Sequence, residues 1–265
     1  MINTLKISDI ATKELLFFEE SFKDKCYNFC KKRDIDFLPS IENPLHIYIR
    51  DDNNKSFNLS AIEKDQIIQG SQIAFQSKTL ESFRQNNLLF LYSDEFLVGA
   101  IHFSDFNKPV VSKYLFDVFF RYERLLRELL KKENYSNRDM MEYFESALKL
   151  SENNNYQRKI NTYNRERENN EKLPPFQSFY LDDLINLANK KGHNFNSEDI
   201  KGLRNMIMHA HELVNKYDWR EDNYIFNFNK FETFFNRAIL LHKDLQRVQN
   251  KLNFLNGIDE LVNYE

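Results

Sequence analysis

The stretch "KPVVSKYLFDVFFRYERLLRELLKKEN", residues 108–134, decides the fold, because it divides a chain of mixed elements from one that is helical throughout. Apolar side chains recur through it at helical spacing. Pro109 stands near its start, where a missing N–H costs nothing, and Lys131 and Lys132 fall in the last turn, where the helix dipole favours cations. After it, "RDMMEYFESALKL", "FYLDDLINLANKKG", "NSEDIKGLRNMIMHAHELVNK" and "FNKFETFFNRAILLHKDLQRVQNKL" repeat the same periodicity, which predicts a helical bundle over 108–265. Inside that bundle, 151–175 is almost devoid of apolar residues and ends on Pro174–Pro175. It reads as a solvated, mobile insertion whose Arg158, Lys159, Arg165, Arg167 and Lys172 could touch phosphate.

Before residue 108 helix and strand alternate, so the whole chain reads as α+β, with a small α/β part at 1–107. "TKELLFFEESFKDKCYNFCKKRD" has helical spacing, with Phe18, Phe22, Cys26 and Cys30 on one face. "LHIYIRDD" alternates as a strand does, "LSAIEKDQIIQG" returns to helical spacing with Gly70 as its stop, and "SKTLESFRQN" is a second helix. The run "NLLFLYSDEFLVGAIHFSDF", two apolar segments around Ser-Asp-Glu, predicts a β-hairpin.

Composition narrows the class. With 42% hydrophobic residues, 15% aromatics, 5 Gly and 5 Pro, the chain has enough apolar surface for a solid core and few turn-makers, which excludes collagen-like, disordered and disulfide-scaffold proteins. Two cysteines four residues apart read as small core residues, and no apolar run has the length of a membrane span. A reducing cytoplasm is therefore the expected setting. A formal charge of −3 gives no general affinity for nucleic acid, so any such role must come from a local patch.

Two polar intrusions into apolar helices point to chemistry. In "LRNMIMHAHELV", residues 203–214, Leu203, Ile207, Ala210 and Val214 form the core-facing stripe. Asn205 shares one flank with His209, and Arg204 shares another with His211. In the helix of 108–134, Glu123 falls three, four and seven residues from Phe120, Phe119 and Phe116. A carboxylate in such a stripe needs a cation, and Arg204 is the expected partner. The pair reads either as a core ion pair or as a guanidinium fixed for use. The two histidines point ~160° apart on a regular helix, so no shared metal is expected. His193 and His242 read as exposed polar residues. Arg121, Arg124, Arg127 and Lys131, at steps of three, three and four, draw a basic stripe that either is solvated or holds RNA.

Two resemblances follow from these residues. The helix of 77–86 followed by "NLLFLYSDEFLVGAIHFSDF" resembles the second half of a CBS module, whose pattern ends in Gly-apolar-apolar-Thr/Ser-x-x-Asp; here Gly99 to Asp105 occupy those places, with His102 where a hydroxyl is usual. That resemblance implies an adenine-nucleotide sensor, with His102, Ser104 and Asp105 at ribose and phosphate. "LRNMIMHAH" resembles the HEPN signature, an Arg, often followed by Asn, then four to six residues and a His.

The HEPN resemblance implies a homodimeric, metal-independent endoribonuclease with a composite active site, needing no cofactor for catalysis, and it suggests a regulated toxin or phage-defence nuclease with an antitoxin-like regulator or nucleotide ligand. In that reading His209 is general base or acid, His211 its deputy, Arg204 the transition-state clamp, Asn205 an orienter and Glu123 the holder of Arg204. The same residues admit a second reading, a non-catalytic HEPN-like dimer that binds a nucleotide or a partner protein.

Overall fold

The computed structural model describes residues 4–33, 35–150, 154–169, 174–208, 215–218 and 223–262. In chain order the elements are α1 (Ile7–Ile10), α2 (Lys23–Arg33), β1 (Phe37–Pro39), β2 (His46–Asp51), β3 (Ser56–Ala61), β4 (Ile67–Gln69), α3 (Ser77–Gln85), β5 (Leu88–Ser93) and β6 (Phe96–His102). There follow α4 (Pro109–Lys132), α5 (Asn137–Leu150), α6 (Asn154–Asn169), α7 (Leu181–Lys190), α8 (Ser197–Met208), β7 (Asn215–Asp218), β8 (Asn223–Phe226) and α9 (Phe228–Val262). The α+β class and the helical second half hold as the sequence predicts. Among the described residues no helix is long and apolar enough to cross a membrane.

The chain forms two compact units, and their boundary differs from a single cut at 107/108. One comprises the described residues of Met1–Tyr114 and His209–Phe235, the other those of Leu115–Met208 and Asn236–Glu265.

In the first unit β1, β2 and β3 form an antiparallel sheet, and β4, β5 and β6 form a second, with β4 parallel to β5 and β5 antiparallel to β6. Strand alternation gives each sheet two apolar faces. Ile47 and Phe37 of the first meet Phe90, Tyr92, Ile67, Leu88 and Leu97 of the second, while the opposite face of the first, through Leu38, Tyr48 and Phe57, is covered by Phe18, Cys26 and Cys30. The cysteines are buried and unbridged, the small core residues their spacing predicts. Burial pushes the Cys30 thiol above its ordinary pKa.

A third layer is aromatic. Phe83 on α3, Phe106 and Phe231 meet edge to face at 5.3–5.9 Å, and Phe75, Phe103, Phe234 and Phe235 surround them.

Three sequence expectations fail here, each to backbone pairing. The first helix begins only after a 3-10 turn at Glu20–Phe22, because Thr12 pairs with Ala100 and Phe18 with Ser40 in bridge geometry. "LSAIEKDQIIQG" is not a helix: its start lies in β3 against β2 and its end in β4 against β5, and the Gly70 N–H donates to Tyr92 O at 3.0 Å. The helix predicted through Asn215 and Lys216 gives way at those residues to the hairpin β7–β8.

In the second unit the apolar faces of α4, α5, α7, α8 and α9 bury Leu115, Val118, Tyr122, Leu125, Phe144, Leu184, Leu203, Leu241 and Val248. The expected insertion is largely helix α6. Three half-buried side chains on one face, Tyr156, Lys159 and Tyr163, anchor it: Tyr156 packs on Tyr143 and Phe144, Tyr163 stacks on Phe179 at 5.4 Å, and Lys159 forms an ion pair with Asp183 of α7. Lys172 lies outside the described residues.

Candidate functional site

Helix α8 carries the first two residues of the motif, Arg204 and Asn205. Its buried stripe, Ile200, Leu203 and Ile207 at steps of three and four, contains Leu203 and Ile207 of the predicted stripe and extends it one turn back to Ile200. Asn196 precedes the helix and accepts the Ile200 N–H at 3.0 Å through its carbonyl. Gly202 brings the helix close to α9: a Cβ there would stand 2.6 Å from the Arg237 guanidinium. That guanidinium is bound by Asp199 at 3.5 Å.

The turn that follows Gly202 carries the candidate polar groups. Arg204 is half-buried on the flank of Leu203, and it pairs with no carboxylate among the described residues. Asn205 is exposed beside it, as is Met208 at the helix end. His209 and His211, with Ala210 and Val214 of the predicted stripe, lie outside the described residues.

Glu123 does not hold Arg204. Its carboxylate takes the Arg127 guanidinium one turn on, at 2.6 Å, and Arg127 is spent further on the carbonyls of Phe176 and Phe179, both at 3.1 Å. The physical reason lies in the phase of α4. Its buried stripe runs through Val111, Leu115, Val118, Tyr122, Leu125 and Leu129, whereas Phe120 is 70% exposed. Glu123 therefore sits at the margin of the apolar face with about a quarter of its side chain exposed, and a neighbour on the same helix reaches it more easily than a residue from α8.

The predicted basic stripe is divided in the same way. Arg121 donates to Gln249 at 3.3 Å, Arg127 is committed as described, and Arg124 and Lys131 are exposed. Lys131 lines a groove of about 500 Å³ with Glu128, Lys132, Gln249, Leu252 and Asn256.

In the first unit the three residues of the CBS resemblance are turned toward one another. The Asp105 carboxylate accepts the His102 backbone N–H at 2.8 Å and pairs with Lys108 at 2.9 Å, closing the turn after β6. The His102 Nδ1 accepts the Ser104 N–H at 3.2 Å and lies 2.7 Å from the Ser104 hydroxyl. Burial pulls the His102 pKa below its ordinary value, against the attraction of Asp105.

The most deeply buried acid among the described residues lies outside the predicted site. Asp244, fully buried on α9, accepts the backbone and side-chain N–H groups of Asn196 at 2.7 and 3.0 Å and the Arg247 guanidinium at 3.3 Å. The signal for it was the one that singled out Glu123, an acid within an apolar stripe, here between Leu241 and Val248. His193 and His242 are not exposed: His193 pairs with Glu133 at 2.8 Å and stacks on Phe195, and the His242 Nδ1–H donates to Ala238 O at 2.7 Å. Among the described residues no group of three or more His, Cys, Asp or Glu side chains is placed to hold a metal ion. The chain matches no protein-family model, no curated protein and no solved structure.

Proposed function

We propose that the chain is a metal-independent endoribonuclease of HEPN type, working in the cytoplasm as a homodimer, with Arg204 and Asn205 of α8 and the histidines that follow in the sequence as its catalytic motif. The observation that supports this reading is Arg204: a half-buried residue with no carboxylate partner among the described residues, next to an exposed asparagine and five positions before His209 in the sequence. A guanidinium held by a packed helix, with no acid beside it among the described residues, suits a phosphodiester that gains negative charge in the transition state.

The reaction is an internal displacement. The 2′-oxygen bonds to its neighbouring phosphorus as its proton passes to one imidazole, and the bond to the 5′-oxygen breaks as that oxygen takes a proton from the other. The products are a 2′,3′-cyclic phosphate and a free 5′-hydroxyl. His209, with an ordinary pKa of ~6.5, serves one end of this transfer, with His211 as its alternate. Arg204 binds the non-bridging oxygens and Asn205 orients the phosphate. Glu123 has no part as holder of Arg204.

Incubation with single-stranded RNA in EDTA tests the proposal. Cleavage should leave cyclic phosphate ends, and His209→Ala should lower kcat by about 10²–10⁴ with an unchanged melting temperature. Absence of EDTA-resistant cleavage by the unmodified protein would favour the second reading, a non-catalytic dimer, to which the engagement of Glu123 by Arg127 also lends support. Control by an adenine nucleotide at His102, Ser104 and Asp105 requires the ligand to displace Lys108 from Asp105. A rise in melting temperature or a change in cleavage rate with AMP or ATP is the result that would place it there.

A further inference from the structure

The buried Asp244 carboxylate has both of its oxygens bonded: three N–H groups reach it, two from Asn196 and one from Arg247. The same Arg247 Nη1 donates to the Asn194 carbonyl at 2.8 Å. The guanidinium is thus gripped from behind by a buried acid and a backbone oxygen, while 57% of its side chain stays exposed. One turn earlier on α9, Lys243 is exposed and has no acidic partner among the described residues.

These two cations open onto a groove of about 460 Å³ completed by Asn196, Leu240, Gln246 and Asn250. Among the described residues its lining includes no acid, three carboxamides, and one apolar residue against which a ribose or base can rest. Asp244 contributes one negative charge behind Arg247, so the groove keeps a net positive charge in a protein whose overall charge is −3. A pre-aimed fork of N–H donors beside a mobile ammonium is the donor set that phosphate oxygens take up.

We infer that this groove is an oxyanion site for a phosphoryl group, Arg247 supplying the fixed fork and Lys243 the point charge. It involves neither Arg204 nor the motif histidines, and it stands whether or not the chain cleaves RNA. The phosphoryl group has two sources, the backbone of an RNA strand and a free nucleotide.

The test uses the full chain and three probes: a fluorescent 2′-O-methyl RNA strand, which cannot be cut by attack of a 2′-oxygen, AMP, and inorganic pyrophosphate. The variants are Lys243→Gln, Arg247→Lys and Arg247→Gln. Lys243→Gln should weaken binding about 3- to 10-fold and lower the slope of log K against log salt by about 0.7 for the RNA strand. Arg247→Lys, which keeps the charge and loses the fork, should weaken binding while leaving that slope unchanged. RNA binding that AMP and pyrophosphate do not displace assigns the groove to strand phosphates, and binding of the small anions in competition with RNA assigns it to free phosphate. Either supports the site. Unaltered affinity and salt slope in Lys243→Gln and Arg247→Lys overturns it, as does failure of the unmodified protein to bind any of the three. Because Lys243 bears no structural bond among the described residues, it decides the matter even where Arg247→Gln disturbs the fold. A protein that binds the methylated strand through these residues yet cuts no RNA keeps the groove and loses the ribonuclease.

Discussion

His242 shows how a single residue sets a pH response. Its ring is mostly enclosed within α9, and burial holds its pKa below the ordinary value, with the Ala238 carbonyl pulling the other way. The folded state therefore binds fewer protons than the unfolded chain, so the stability owed to neutral His242 is fully present above the unfolded pKa of 6.5 and is lost as pH falls through it toward the folded value. His102 acts in the same sense, because protonating its Nδ1 removes the acceptor that Ser104 uses. Urea midpoints should fall between pH 7 and pH 5, and His242→Gln should flatten that fall. At Glu123 the bond to Arg127 makes a different prediction from the one its sequence position suggests. Glu123→Gln should cost about 1 kcal/mol in urea unfolding and leave RNA cleavage unchanged, whereas a holder of Arg204 would lose activity. Helical spacing reveals that an acid lies near apolar neighbours; it does not reveal which cation arrives first. For that reason the half-buried α8 flank of Arg204 was legible and its pairing was not.

Among the elements, those legible in the sequence are the ones whose pattern and backbone partners agree. The hairpin of β5 and β6 was readable because two apolar runs flank Asp94, whose φ of 55° suits a tight turn. Helix α6 was not, since it has few apolar residues and stands on rings and one ion pair instead. Lys159 packs over Phe144 and Tyr156 while it neutralises Asp183, which is 2% exposed. Burial raises the Asp183 pKa, and Lys159 offsets only part of that rise. Lys159→Met would strand the carboxylate, at a cost of about 3 kcal/mol, and hydrogen exchange should quicken across α6 before any other helix of its unit. A second element-level test lies at β6. A Cβ on Gly99 would stand 2.7 Å from the Thr12 carbonyl, which is backbone and cannot swing away. Gly99→Ala should break the Thr12–Ala100 pairing, seen as lost amide protection at both residues.

The whole molecule is not divided where its sequence changes character. The composition shift at 107/108 marks the start of α4, yet the aromatic layer of the first unit is completed by Phe228, Phe231, Phe234 and Phe235 from the start of α9. Burying an aromatic side chain is worth about 1.5–3 kcal/mol, so a fragment of residues 1–114 lacks several such contributions at once. It should be insoluble or lack near-ultraviolet dichroism, while the full chain shows both strong aromatic signals and a cooperative transition. Periodicity is a local property and could not disclose this return, because nothing in "FNKFETFF" says which surface its phenylalanines meet.

That return also sets a schedule for the ribosome. Phe83 finds Phe231 only after 148 further residues have been made, which at ordinary rates of synthesis is a wait on the order of 10 s. Throughout it, Phe75, Phe83 and Phe106 lack their ring partners from α9, so a nascent chain stalled before residue 228 should bind holdases that the completed chain does not.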